Sequence, residues 1–190
     1  MRAPPLRSAL AGATLVVAFG SACGDPFALP PARIENVVDT VSLWAFTGTE
    51  LSLPSAYSIL GFPQAVRTDR TDGFDFAFDL DEAGRALLFP TGAVDLGRRS
   101  GILLTGVPFD SIRAPPAGVY QDTVPVAVDV DTVAVIRSRA LQCNPLLPAL
   151  SYYAKLRVLA VDLTERRLDF EILANSNCGY RSLEPGVPRR

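Results

Sequence analysis

From Phe74 to Leu80 the chain alternates without interruption: Phe74, Phe76, Phe78 and Leu80 share one parity, Asp75, Ala77 and Asp79 the other. Successive side chains of an extended backbone point to opposite faces, so the pattern predicts a strand with an aromatic face and an exposed carboxylate face. Asp81-Glu82-Ala83-Gly84 follows as a four-residue turn whose glycine can take a positive φ. If Leu80 faces Arg85, then Phe78 lies opposite Leu87 and Phe76 opposite Phe89. A second hairpin over 152–174 repeats the logic, with Ala154, Leu156, Val158 and Ala160 inward against Leu168, Phe170, Ile172 and Ala174. Lys155 and Arg157 then share the outer face with Asp169 and Glu171 as exposed cross-strand charge pairs, each worth ~1 kcal/mol at most.

The rest of the chain is punctuated in the same style. Val38 to Thr47 carries β-branched and aromatic residues on both parities, as a strand buried on two sides would, with Trp44 as a packing residue. Ser55 to Leu60 and Gly101 to Thr105 are further short strands between Gly and Pro breaks. Phe109 to Tyr120, with Pro115-Pro116 and Gly118, predicts a surface loop with one helical turn near Ser111. In Val124 to Arg139 the apolar parity flips between Val130 and Val133, which calls for a bulge or bend at Asp131-Thr132. No sustained helical periodicity follows the leader, and the expected fold is an all-β antiparallel sandwich of about eight strands, with a closed β-barrel as the alternative.

The first residues constrain the address. Arg2 and Arg7 precede an apolar run from Ala9 to Phe19, and Gly20-Ser21-Ala22 are small residues where a signal peptidase cuts. The run is about half of the ~20 residues a membrane-spanning helix needs. Ser21-Ala22-Cys23 resembles the lipobox of bacterial lipoproteins, although Gly20 stands where that family has leucine. The resemblance implies cleavage before Cys23, acylation of Cys23 and, with Gly24 next to it, an outer-membrane anchor facing the periplasm. Ordinary secretory cleavage of the same bond, giving a secreted periplasmic protein, is the alternative. The organisation expected is a signal peptide over 1–22, a lipid-anchored tether over 23–36 and one β domain over 37–183. A disordered tail covers 184–190.

With Cys23 assigned to lipid, Cys143 and Cys178 remain as one pair in an oxidising compartment, and a disulfide between them is expected; two buried thiols are the rival reading. The portion from Cys23 onward holds 20 acidic against 16 basic residues, a formal charge of −4, which argues against a nucleic-acid partner.

Histidine is absent from all 190 residues, which removes the usual general base of Ser and Cys hydrolases and the commonest metal ligand. Lys155 is the only lysine, and its spacing from Ser151 does not fit a Ser-x-x-Lys motif. Neither a phosphate-cradling glycine loop nor a dinucleotide fingerprint is present, so no cofactor is expected. Asp69, Asp72 and Asp75 form a weak candidate calcium site, against which stands their reading as turn and solvated-face residues. The expectation is a non-catalytic, lipid-anchored envelope protein that binds or scaffolds a protein partner, an extrinsic subunit of a membrane assembly being one form of that role. A carrier of apolar ligands and a carboxylate-based hydrolase are the alternatives.

Overall fold

A computed structural model describes residues 27–97 and 99–189; the signal segment 1–22 and Cys23 lie outside them. Ten strands form two five-stranded antiparallel sheets, packed as a β-sandwich, with no closed barrel. The first sheet runs β1 (Val38–Trp44), β10 (Arg167–Asn175), β9 (Leu150–Asp162), β8 (Val133–Leu141), β6 (Gly101–Thr105). The second runs β3 (Gln64–Val66), β2 (Ala56–Ser58), β4 (Phe76–Leu80), β5 (Ala86–Pro90), β7 (Val126–Val128). Among the described residues, helical structure is confined to two short 3₁₀ turns at Thr91–Val94 and Phe109–Ser111, the second where one helical turn was expected.

The inner faces close on a core in which Tyr57, Phe76, Phe78 and Phe170 are fully buried with aliphatic side chains of both sheets. Tyr57 stacks on Phe76 at 5.7 Å and meets Phe170 edge-on at 6.1 Å, arrangements that add about 0.5–1.5 kcal/mol each beyond burial. The parity flip near Asp131 turns out to be a change of sheet. Val126 and Val128 enter the core from the second sheet, Asp131 turns at φ 66°, and Ala134 and Ile136 enter it from the first.

Several details differ from the sequence expectation, each for a local reason. The hairpin register is Leu80 opposite Ala86, Phe78 opposite Leu88 and Phe76 opposite Pro90, one residue off the expected pairing. Asp81 pairs backbone to backbone with Arg85, and its carboxylate accepts from the amides of Ala83 and Arg85, so the loop is three residues ending at Gly84, φ 78°. In the second hairpin the register slips between Asp169 and Phe170, which leaves Leu159 over and brings Val161, not Ala160, onto the core. β1 is an edge strand, largely exposed over Val38–Thr40, instead of a strand buried on both faces.

The two ends of the described segment are docked at one end of the sandwich. Asn36 bridges Gly186 in both directions, and its side-chain amide donates to the carbonyls of Ser182 and Glu184. Asn177 accepts from the amides of Arg33 and Ile34 at 2.9 and 3.0 Å. The stretch read as a free tail is thus hydrogen-bonded at Gly186, and Pro188 is buried. Beside it the Cys143–Cys178 disulfide joins the β8–β9 connection to the segment after β10, with Cα atoms 6.3 Å apart.

Candidate functional site

The sequence singled out carboxylates on β4 and its approach, and the structure separates them. Asp69 forms a two-point ion pair with Arg67, at 2.9 and 2.6 Å, that holds its carboxyl below the usual range. Asp72 is exposed on the following turn. Asp75 is fully buried: one oxygen accepts from the amide of Ile59 at 2.6 Å, the other from the backbone amide and Nε of Arg139 at 2.8 and 3.0 Å. Among the described residues no three metal-ligating side chains come together.

Asp75 and Asp79, expected on the exposed face, are both buried. Asp75 is turned toward the other sheet by a bulge in β8, where the register shifts between Arg137 and Ala140 and Arg139 reaches across. Asp79 keeps its outward parity, but the segment after β1 crosses over it. Phe46 N donates to Phe78 O, Thr47 Oγ1 to both Asp79 oxygens, and Arg166 Nη2 lies 3.1 Å from the carboxylate.

Turning Asp75 inward breaks the alternation, so Phe74 faces out while Phe76 and Phe78 face in. Phe74 thereby joins Ala56, Ala77, Phe46 and Phe89 in a small apolar cluster on the outside of the second sheet, where Phe46 and Phe89 meet edge-on at 5.1 Å. The 3₁₀ turn Thr91–Val94 supplies Val94, and the segment just after it supplies Leu96. The turn is fastened by the Thr91 hydroxyl, which donates to Gly97 O and accepts from the amides of Arg99 and Ser100. Between that turn and the 67–73 turn lies an open cleft of about 280 Å³, walled by Phe46, Phe74, Val94 and Leu96, with Thr68, Thr71 and Asp72 on its rim. Thr68 is positioned by Ser55 at 2.9 Å and Thr71 by the Gly73 amide at 2.9 Å. An apolar wall with two hydroxyls and a carboxylate at its edge suits one aliphatic or aromatic group of a partner and offers it a few directional contacts. Among the described residues Asp72 is the sole ionisable side chain of the lining, which sets no second acid opposite it.

Lys155, expected in an exposed charge pair, is also buried. The loop 106–120 folds over the first sheet's outer face, and Lys155 Nζ donates to the carbonyls of Phe109 at 2.9 Å and Ile112 at 3.0 Å while sitting 4.6 Å from the Phe109 ring centre. Burial pushes its ammonium below the ordinary lysine value, against the pull of Asp110, Glu184 and Glu171. Only Arg157–Glu171, at 2.7 Å, forms the expected cross-strand pair; Asp169 turns to Arg167 and Ser42 instead. No signal in the strand pattern marks Lys155 as buried, because its cover comes from a loop more than 40 residues earlier. Comparison with protein-family models and with curated proteins finds no match for this chain.

Proposed function

We propose that this chain is an exported protein, lipid-anchored through Cys23 on the periplasmic face of an outer membrane, that works as a non-catalytic binding or scaffold module. Its contact site is the Phe46–Phe74 cleft. The observation that carries the proposal is the reversal at Asp75, which takes a large aromatic side chain out of the core and builds a fastened apolar cleft around it. Exposed apolar hollows with polar rims are what protein partners bury. The filled space between the sheets favours recognition by contact over carriage of an internal cargo.

The test places a photo-crosslinking amino acid at Asp72 on the rim and, as control, at Thr40 on the first sheet's edge strand, in cells expressing the full chain. One adduct of constant mass is expected from position 72 and absent from position 40, and Val94→Arg abolishes it. Equal or no labelling at both positions sinks the assignment of this cleft, and an intact mass without acyl chains sinks the anchor.

A further inference from the structure

The described chain begins next to the disulfide end of the sandwich. Leu29 packs against the core at Gly179, and Leu29, Pro31 and Ala32 line one hollow with Tyr180, Pro188 and Arg189. From Cys23 to Phe27 there are four peptide steps, which span at most about 14 Å when fully extended. An acyl group on Cys23 therefore holds this end of the domain, and no other, against the lipid headgroups.

That end is also basic and partly apolar. Arg113, Arg181 and Arg189 line an open groove of about 950 Å³. Arg33 stands exposed on the docked N-terminal segment. Arg181 lies over Tyr153 at 5.0 Å, so the ring supports the flat face of the guanidinium and its edge donors stay available. Glu184 answers Arg113 loosely at 3.5 Å, and Glu35 and Asp110 are further exposed acids on the segments that carry these arginines. Val187, 53% exposed, lines the same groove, and Phe27, 60% exposed, lies two residues before the packed Leu29.

We propose that this end of the sandwich docks on anionic phospholipid headgroups, with Arg33, Arg113, Arg181 and Arg189 meeting the phosphates, so that the anchored domain stands on the membrane in one orientation. The proposal rests on acylation of Cys23. Guanidinium groups suit phosphate oxygens through paired donors, and a tether of this length keeps the headgroups within reach at all times. The outward cleft on the second sheet is then left free for its partner.

The acylated full-length mature protein, its lipid verified by intact mass, is reconstituted into vesicles of phosphatidylcholine alone or with phosphatidylglycerol, and its arginines are footprinted with phenylglyoxal. Arg85, on the hairpin turn that meets Leu163 at the opposite end, is the internal control. In anionic vesicles Arg33, Arg113, Arg181 and Arg189 are expected to react about fivefold more slowly than in neutral ones, the factor equivalent to one basic side chain at an anionic surface. Arg85 is expected to be unchanged. In the R113Q/R181Q/R189Q variant Arg33 should lose its protection while the disulfide and the circular dichroism stay as they were. Equal reactivity in the two vesicles overturns the docking, and protection only in native envelope membranes overturns it in favour of a protein. A mass without acyl chains overturns the anchor itself, a separate outcome.

Discussion

At Asp75 a carboxylate sits where water does not reach, and it is tolerable there because three hydrogen bonds from Ile59 and Arg139 replace its hydration. Removing one partner of such a pair strands the other, so Asp75→Asn is expected to destabilise the fold by about 3 kcal/mol, read as a lower urea midpoint at unchanged slope. Asp69→Asn, on an exposed pair, should leave the midpoint almost where it was. Lys155 invites a pH experiment. Its folded pKa lies below the unfolded 10.5, so between those two values the unfolded chain holds a proton the folded one has released, and stability from this group rises with pH across that window. Below the window the penalty is present in full. Tyr120, pushed up to about 12 by burial, and Tyr57, raised by burial and by Asp39, act the other way above pH 10, where the unfolded chain loses their protons first. Lys155→Met leaves both tyrosines in place. Wild type is therefore expected to gain stability relative to this variant as pH is raised towards 10.5, measured by paired denaturation curves.

At the scale of elements, hairpins were legible and their details were not. Alternation located β4, β5, β9 and β10 because a half-buried strand must repeat every second residue. It could not fix the β4–β5 register, since a four-residue loop and a three-residue loop ending at Gly84 look alike until the Asp81 carboxylate is seen to cap the shorter one. Nor could it find the cleft. Phe74 has the same parity as Phe76 and leaves the core only because Arg139, 64 residues later, draws Asp75 inward. The Cys143–Cys178 bridge was accessible from counting once the lipobox resemblance had set Cys23 aside, and it ties the β8–β9 connection to the segment following β10 across a separation of 35 residues. Replacing both cysteines by serine is expected to cost roughly 2–5 kcal/mol, with the loss seen as an earlier guanidinium midpoint that reductant no longer shifts.

For the whole molecule, the two ends of the described segment and the disulfide meet at one pole of the sandwich, while the apolar cleft opens on the outer face of the second sheet. Under the proposed acylation of Cys23, a short tether at that pole would turn a freely tumbling domain into an oriented one, because the headgroups would remain at a high effective concentration beside Arg33, Arg181 and Arg189. Tether length is therefore a control variable independent of the folded surface. Inserting twenty Gly/Ser residues after Pro26 lets the domain wander about 25 Å from its anchor without altering any contact of the sandwich. Membrane fractionation and the urea midpoint are expected to stay unchanged, whereas arginine protection on phosphatidylglycerol vesicles should fall by several-fold. If protection persists with the long linker, the basic end binds headgroups strongly enough by itself and the four-residue tether sets only the address. If it vanishes together with membrane fractionation, the insertion has disturbed acylation, which intact mass then reveals directly.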